Sequence, residues 1–551
     1  MKSPTCFAAA TFCFLLGLGI AAPAPGQQQE RRTGKTVFDR FTGLSQPRTV
    51  PSLLLTSEAT QQRRIIINDD SSYPRADEGI EAVLDARFRN TLGTGVGAYF
   101  VCVGHSSTGS GPNAPELPAR VGCMLNWWSS GQEAPAMIDK LTRAYVKAVH
   151  EADMPICASL RMNDIHDAWA ERLYYPLKLQ RPDLLLGERR SSYPDPEGSV
   201  VMAAFWSGFD YAKEEVRQHF LGFIRYCCRT YDFDGLELDY FRHPLFFKLG
   251  EEEQNLDTMT QFVRQVRELL DQIGGARGRP YRLVARVPDS LELARRTGLD
   301  VEEWLKGNLL DMLVVGGGYM PYAGRLKELI DLAHDHDVPA YPCINHYHYE
   351  GLQGRDPIHV RSIASNFWAL GADGVYIFNY NAVPRGSEKH RCLSEMNDPD
   401  MLIGMDKQYL ADNGDRGGRV RYSGHVNPPP QFPVRLIDGT PIELVVGDDL
   451  ATATGQGILD EARLRVKVSN MDEEEGIAIK INGTSVPSEV IHRADAETFE
   501  AVVGAPPLKQ GINRIVILPG RKCLGRFSSA ATELELAVRY KHGGEKGDKS
   551  D

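Results

Sequence analysis

The chain has 551 residues, of which 42% are hydrophobic and 25% are charged, and its formal net charge at pH 7 is −11. This length and composition are typical of a globular protein with two or three domains and at least one large core. The acidic balance, with no long run of Lys or Arg, argues against a nucleic-acid-binding surface.

The N-terminus has the layout of a secretory signal: one Lys, a short apolar stretch, and then small residues around Ala21–Ala24. This predicts a signal peptide over residues 1–25 and a mature protein that is secreted or periplasmic. No later segment is long and apolar enough to be a membrane span. Because Pro23 and Pro25 blur the cleavage site, an uncleaved anchor is the alternative.

After a lead-in over residues 26–61, short apolar strand segments alternate with helical segments, a pattern typical of a parallel sheet. The predicted strands cover 64–69, 97–104, 154–163, 233–240, 281–288, 311–319, 339–347 and 374–381. Helical spacing of apolar residues marks 134–152, 212–231, 256–273 and 357–371. Eight such units predict a (β/α)8 TIM barrel over residues 62–426, with an open doubly wound sheet as the alternative.

The texture changes after the Pro-rich stretch "VNPPPQFP". Short strand segments follow without helices between them, which predicts an antiparallel β-sandwich over residues 427–541. The charged, Gly-rich residues 542–551 are predicted to be a disordered tail.

Cysteine spacing gives no support to a metal site or a cofactor, because no CxxC pair occurs in the chain. Export permits disulfides, but no pairing is assigned. Cys102, Cys157 and Cys343 lie in predicted strands, where a free cysteine commonly serves as a small buried apolar residue.

The fourth strand segment, "FDGLELDY", carries an unusual amount of charge. Side chains alternate along a strand, so Glu237 and Asp239 share the face opposite two leucines and point into a barrel. Buried carboxylates are costly unless they are paired or used. Asp239 lies at the carboxyl end of the strand, where barrel active sites are built. Alternatively, Glu237 is a structural acid paired with Arg161 or Arg286.

Two strand segments, "FDGLELDY" and "ADGVYIFNY", begin with Asp-Gly after a helix. We expect the two glycines to adopt a turn conformation that residues with a Cβ resist. Asp232 and Asp234 are expected to be turn or helix-end residues.

Polar and aromatic residues follow most of the other predicted strands and should converge at the carboxyl-terminal end of the barrel, which we call its mouth. The predicted binding residues are Asp70, Trp127, Trp128, Arg161, Asn163, His166, Arg242, Arg286, Asp289, Tyr319, Asn345, His346, His348, Asn379 and Tyr380. The aromatic faces suit sugar rings, or the tryptophans anchor their loop to the barrel. The spacing of His346 and His348 could hold a metal, but no third ligand is evident.

With these residues in view, the chain resembles the glycosyl hydrolase-like 10 group of barrel glycosidases. The resemblance rests on "YDFDGLELDYFRHPLFF", "SLRMNDIHD" and "GADGVYIFNY", and covers roughly residues 62 to 400. It implies a TIM barrel, a carbohydrate substrate and a functional acid at Asp239. A partial similarity to the chitinase strand "DGxDxDxE" fails at Phe241, where that motif has its proton-donating Glu. The segments "IKINGTSVP" and "LKQGINRIVI" are similar to accessory jelly-roll domains.

Glycoside hydrolysis needs two carboxyl groups, one of them protonated. We expect Asp239 to be the acid, with a pKa raised by burial beside Glu237. The partner is Glu237 or Asp164, with Asp70 and Asp289 as further candidates. Two alternatives to a secreted glycoside hydrolase stay open: a non-catalytic carbohydrate-binding barrel, and a lyase or metal-dependent hydrolase that uses the two strand-seven histidines.

Overall fold

The computed structural model describes residues 63–69, 79–104, 134–168, 176–189, 203–316, 325–345, 356–380, 383–411, 431–520 and 528–541. The predicted signal peptide, lead-in and tail lie outside these ranges. In the ranges described, no helix is long and apolar enough to cross a membrane.

The first part of the chain forms a closed barrel of eight parallel strands that neighbour one another in sequence order, with the last strand paired to the first. The strands are β1 Ile65–Asp69, β2 Val96–Gly104, β3 Ile156–Arg161, β4 Gly235–Asp239, β5 Arg282–Val287, β6 Met312–Val315, β7 Ala340–Asn345 and β8 Val375–Phe378. Each overlaps a predicted strand, so the (β/α)8 barrel is confirmed and the open sheet is excluded.

Helices connect the strands and cover the outside of the barrel. They are α1 Gly79–Arg87, α2 Ala134–Glu151, α3 Pro176–Gln180, α4 Glu214–Thr230, α5 Leu256–Arg277, α6 Leu291–Arg296, α7 Val301–Lys306, α8 Leu326–Asp335, α9 Pro357–Ala369 and α10 Glu388–Glu395. In α5 the buried Phe262, Val266, Leu269 and Ile273 recur at three- and four-residue spacing. This spacing presents one apolar face to the strands, and the four predicted helices are confirmed.

The barrel interior is a separate apolar cluster inside the strands. It contains Ile66, Ala98, Phe100, Cys157, Val284, Met312, Val314, Tyr341, Cys343, Tyr376 and Phe378. Cys157 and Cys343 belong to it, and Cys102 is also buried. The prediction that these three cysteines serve as small buried residues is confirmed.

The amino end of the barrel is closed by a repeated contact that involves Asp234, Asp311 and Asp373. Each aspartate precedes an even-numbered strand and accepts a hydrogen bond from a backbone N–H of the odd-numbered strand before it. Each also contacts a basic side chain on the helix that leads into that odd-numbered strand. The backbone donors are Ile156, Leu283 and Ala340 and the basic partners are His150, Arg267 and His334, all at 2.7–2.9 Å. We call these three contacts the aspartate clamps. They join β3 to β4, β5 to β6 and β7 to β8.

The glycines of the two Asp-Gly pairs serve a different purpose from the one expected. Neither Gly235 nor Gly374 has a positive φ. Instead, a Cβ on Gly235 would lie 2.9 Å from the sulfur of Cys157, and one on Gly374 would lie 2.2 Å from the carbonyl oxygen of Arg64 and from the ring of Tyr341. Close packing at the amino end of the barrel, and not a turn conformation, therefore requires glycine at both positions.

The C-terminal part is an antiparallel β-sandwich, as predicted. One sheet contains β9 Lys407–Ala411, β10 Val434–Arg435, β12 Leu459–Ser469, β15 Ile491–Arg493, β16 Thr498–Val502 and β18 Ala530–Tyr540. The other contains β11 Ile442–Val446, β13 Ile477–Ile481, β14 Thr484–Ser485 and β17 Gly511–Pro519, and a short helix, α11 Leu450–Gly455, follows β11.

The sandwich begins earlier in the chain than the sequence indicated. Strand β9 lies within the range predicted as barrel, 62–426, but it pairs with β18, and Tyr409 and Ala411 are buried in the sandwich core. A single short strand ahead of the Pro-rich stretch carries no local signal that says which domain it joins, because its partner lies more than a hundred residues later.

Candidate active site

The parallel register of three neighbouring strands builds a row of alternating charge at the carboxyl end of the barrel. Asp239 at the end of β4 lies between Arg161 on β3 and Arg286 on β5. We call this the mouth row. All three side chains are at most 2% exposed. One layer deeper, Glu237 lies between Ser159 and Val284 in what we call the lower row.

Asp239 is held in position by two backbone amides and an arginine. One carboxylate oxygen accepts hydrogen bonds from the backbone N–H groups of Phe241 and Arg242, at 3.1 and 3.0 Å. The other lies 3.4 Å from Nη1 of Arg286. The chain turns directly after β4 and wraps its own amides around the carboxylate, so two backbone donors and a guanidinium fix its position at the mouth.

Arg286 is held between this carboxylate and a set of aromatic rings. Its guanidinium carbon lies 5.2 Å from the ring centre of Phe378, 5.6 Å from that of Phe241 and 5.7 Å from that of Tyr376. These distances are within the range of cation–π attraction. The arginine is therefore fixed in place beside Asp239.

Glu237 is fully buried one layer below, and its two oxygens have different surroundings. Oε2 accepts hydrogen bonds from Ser159 Oγ and from Asn68 Nδ2, the latter at 3.0 Å, and Asn68 also donates to Ser159 Oγ at 2.9 Å. Within the described residues Oε1 has no hydrogen-bond partner. Tyr376 lies close enough to lower the pKa of Glu237, although its hydroxyl forms no hydrogen bond of normal geometry in the described part of the chain.

Burial, and then the negative charge of Asp239, raise the pKa of Glu237 to about 7, against the lowering effects of Ser159 and Arg286. Glu237 is the deeper of the two acids, and Arg286 forms its ion pair with Asp239 instead. Glu237 is therefore close to half-protonated at pH 7. The expected role of Asp239 as the acid stays a prediction.

Arg161 pairs with Asp164, the acid that follows β3. Its Nη1 lies 3.1 Å from Asp164 Oδ2, and His243 Nδ1 lies 3.8 Å from the same oxygen. Arg242 Nη1 contacts His243 Nε2 at 3.1 Å. Arg161 thus bonds to Asp164 and Arg286 to Asp239, so the expected alternative, an ion pair between Glu237 and either arginine, is not the arrangement that forms.

His243 has a left-handed backbone conformation, with φ of 60°. Residues other than glycine seldom adopt it, and such positions concentrate at functional sites. The turn after β4 therefore places the imidazole against Asp164 at a cost in backbone strain.

Asn163, a predicted binding residue, holds two loops together. Its Nδ2 donates to the carbonyl oxygens of Phe209 and Leu245 at 3.0 and 2.7 Å, and its Oδ1 accepts from the N–H of Phe209 at 2.9 Å. The side-chain amide is fully buried. This geometry assigns Asn163 to the support of the β3 end, while its predicted contact with a substrate stays a prediction.

A buried ion pair between Lys178 and Asp167 holds the backbone of Asp164 in position. Lys178 Nζ donates to the backbone carbonyl of Asp164 at 3.0 Å, lies 3.0 Å from Asp167 Oδ2, and lies 3.3 Å from Ser207 Oγ. Burial lowers the pKa of Lys178, and the charge of Asp167 works in the opposite direction. The long segment between β3 and α4 therefore fixes the position of Asp164.

The structure places three of the other predicted site residues and leaves the rest outside its description. Asp289 is buried at the end of β5, where a Cβ on Gly316 would lie 2.4 Å from its Oδ1. Asn379 follows β8 with φ of 56° and donates its N–H to the carbonyl of Asn68 at 2.8 Å. Tyr380 lies in the outer core between strands and helices, not inside the barrel. Outside the described residues or described side chains are Asp70, Trp127, Trp128, His166, Tyr319, Asn345, His346 and His348.

Two residues that contact Glu237 were missed as site residues, namely Asn68 and Ser159. The signal was present in the sequence, because alternation along "IIIND" and "ICASLR" turns both side chains inward. Lys178 had no such signal, since it lies on a short helix far from any strand end. Among the described residues, no group of three His, Cys, Asp or Glu side chains could hold a metal ion.

Comparison with known proteins gives limited guidance. No protein-family model matches the chain, and no curated protein matches it. An α-galactosidase of glycoside hydrolase family 36 from Geobacillus stearothermophilus is similar in structure, at 13% identity and a TM-score of 0.35; the match covers 89% of this chain and 57% of that one. This chain thus matches less than two thirds of that enzyme's length.

Two further structures match a smaller share of the chain. One is the glycoside hydrolase domain of PgaB (BpsB) from Bordetella bronchiseptica, at 13% identity and a TM-score of 0.38, covering 61% of this chain and 98% of that one. The other is a chitinase from Chromobacterium violaceum, at 10% identity and a TM-score of 0.32, with the same coverage. At these values the matches assign no reaction, and the barrel is established by the chain's own strand pairing.

Proposed function

We propose that the barrel is a glycoside hydrolase in which the carboxyl group of Asp239 meets the substrate. The single observation that carries this proposal is the pair of inward carboxyl groups on β4: Arg286 and two backbone amides hold Asp239 at the mouth, and burial raises the pKa of Glu237 beneath it. Two neighbouring carboxyl groups are the usual basis of acid and base roles in one glycosidase site.

Asp239 suits the task of stabilising the positive charge that develops on the sugar, either as a nucleophile or through its field. It lies at the carboxyl end of its strand, and Arg286 and two amides hold it in position. Because its geometry is already set by packing and hydrogen bonds, little reorganisation is needed when the substrate binds.

The proton donor in this proposal is Glu237 or Asp164. Glu237 holds a proton near neutral pH, and because Oε2 already accepts two hydrogen bonds, Oε1 is the oxygen left to carry it. Asp164 lies on the neighbouring strand end, where Arg161 and His243 surround it. The proposal has three further parts. The substrate is a carbohydrate, the protein is exported through its signal-like N-terminus, and the chain belongs to the glycosyl hydrolase-like 10 group.

The test is a panel of natural polysaccharides and chromogenic glycosides, with release of reducing ends measured for the wild-type protein and Asp239→Asn. We expect the substitution to lower turnover by about 10²- to 10⁴-fold. Asp373→Asn is the matched control, because it makes the same change in an aspartate that is only 10% exposed at the opposite end of the barrel. It should leave turnover per folded molecule unchanged.

Binding of glycans without release by either protein would instead support the carbohydrate-binding barrel. Release that chelators abolish would support the metal-dependent alternative. Equal turnover by Asp239→Asn and wild type would contradict the role of Asp239.

The donor can be identified by comparing leaving groups. A proton donor matters most for poor leaving groups and least for activated aryl glycosides. If Glu237 is the donor, Glu237→Gln should lower the rate on natural linkages far more than on activated ones, and Asp164→Asn should lower both alike. The reverse pattern would assign the donor role to Asp164.

A further inference from the structure

The sandwich lies against one helix of the barrel, α9, which connects β7 to β8. The N–H of Gln408 donates to Ser362 Oγ at 2.8 Å, and the hydroxyl of Tyr409 lies 3.3 Å from Ser365 Oγ. His359 Nδ1 lies 3.5 Å from the carbonyl oxygen of Gln408. Three successive turns of α9 therefore bond to the first strand of the sandwich.

The two surfaces are also in direct backbone contact. A Cβ on Gly447, which follows β11, would lie 2.2 Å from the carbonyl carbon of Ser365 and 2.4 Å from its oxygen. Gly447 has no positive φ. Glycine is therefore required here by the approach of the sandwich to α9 and not by local chain conformation.

Apolar side chains of the sandwich are part of the barrel's outer core. Leu410 on β9 and Val445 on β11 are each 2% exposed and belong to that core, and Ile512 on β17 packs against it. Removing the sandwich would expose this face of the barrel to water.

The connection between the two parts is fixed by a buried charge. Lys407 is fully buried, and its Nζ lies 2.8 Å from Asp448 Oδ1 and donates to the carbonyls of Leu402 and Met405 at 2.6 and 3.1 Å. Burial lowers the pKa of Lys407, and the charge of Asp448 opposes this. A linker that allowed independent motion would not bury a lysine against its own carbonyls.

We infer that the sandwich is a structural part of the barrel, whose role is to hold α9 and through it β7 and β8. It is not a separately mobile module, and barrel and sandwich unfold as one cooperative unit. This inference does not rest on the proposed glycosidase activity. It assigns the face of the sandwich formed by β9 and β11 to the barrel, so a partner molecule cannot use that face.

The distribution of tryptophan makes the inference testable in the full-length protein. All six Trp residues precede residue 407, and Trp206 and Trp304 are buried in the barrel. Trp fluorescence therefore reports unfolding of the barrel, while calorimetry reports both parts. We expect one calorimetric transition in the wild type, at the midpoint of the fluorescence change.

The decisive comparison is Gly447→Ala against Gly455→Ala. Both glycines lie in the sandwich without a positive φ, but a Cβ on Gly455 meets nothing within 4 Å. We expect Gly447→Ala to lower the fluorescence midpoint, although the substitution lies outside the barrel, and Gly455→Ala not to lower it. Should Gly447→Ala fail to fold, Ser362→Ala removes the 2.8 Å bond more gently and should shift the same midpoint.

Two separate transitions in the wild type would overturn the inference. So would a lowered calorimetric midpoint in Gly447→Ala or Ser362→Ala with an unchanged fluorescence midpoint, because the barrel would then unfold without regard to the sandwich.

Discussion

The acids at the two ends of the barrel have opposite surroundings. At the amino end, Asp234, Asp311 and Asp373 each have a backbone donor and a basic partner. At the carboxyl end, Glu237 has an oxygen without a partner in the described residues and a proton affinity shifted into the neutral range. Shielding from water alone therefore does not decide the protonation of an acid in this barrel. The three aspartates differ from Glu237 in having a backbone donor and a basic partner on one carboxylate oxygen.

The aspartate clamps can be broken at Asp234. Asp234→Ala should lower the free energy of unfolding at pH 7 by about 3–5 kcal/mol, because it leaves Arg279 and His150 without their buried partner. Urea unfolding measures the change. Asp232 is the matched control: it also pairs with Arg279, but its side chain is 61% exposed, so Asp232→Ala should cost less than about 1 kcal/mol. Equal losses of stability in Asp234→Ala and Asp232→Ala would show that the buried clamp stabilises the barrel no more than an exposed ion pair does.

The same clamp sets a dependence on acid. Burial raises the pKa of Asp234, but the hydrogen bond from His150 and the charges nearby outweigh burial, so the pKa lies below its ordinary value. The stabilisation is therefore present above the unfolded-state pKa and is lost as pH falls through the lower folded-state value. The difference in stability between wild type and Asp234→Ala should shrink over that acidic range.

Glu237 should behave in the opposite way. Its pKa rises from 4.5 to about 7 on folding, so the folded state binds the proton more tightly and stability falls as pH rises through that interval. Glu237→Gln keeps the shape and stays neutral. It should stabilise the protein by about 3 kcal/mol above pH 8 and have little effect at pH 4. Urea unfolding of both proteins at pH 4 and above pH 8 tests this. The same stability difference between wild type and Glu237→Gln at both pH values would exclude a raised pKa of Glu237.

The smallest expected effect concerns packing at the amino end. Gly374→Ala should destabilise the barrel by about 1–3 kcal/mol, because its methyl group would meet the carbonyl of Arg64 and the ring of Tyr341. Gly275→Ala on α5 meets open space and should stabilise by about 0.5–1 kcal/mol. Thermal unfolding of the two variants gives the comparison. A destabilising Gly275→Ala, or a neutral Gly374→Ala, would contradict the reading of these contacts.

The barrel was predictable because each of its strands and longer helices carries a local signal: apolar runs, alternation and helical spacing. Alternation also turned Glu237 and Asp239 inward correctly. It could not predict the raised pKa of Glu237, because that depends first on burial in the assembled barrel and then on the charge of Asp239, against the lowering effects of Ser159 and Arg286 from other strands. Lys178 donates a hydrogen bond to Asp164, and β9 pairs with β18. Both contacts join residues on different elements of the chain, so no local sequence pattern predicts them.

The raised proton affinity of Glu237 has a consequence for the protein as a whole. An unfolded glutamate is almost fully ionised at pH 7, whereas the folded one is close to half-protonated, so folding at that pH takes up about half a proton from the solvent. The heat of unfolding should therefore vary with the ionisation enthalpy of the buffer, and the part of this variation due to Glu237 disappears in Glu237→Gln. Proton uptake by Glu237 can therefore be detected by calorimetry even in the absence of any substrate.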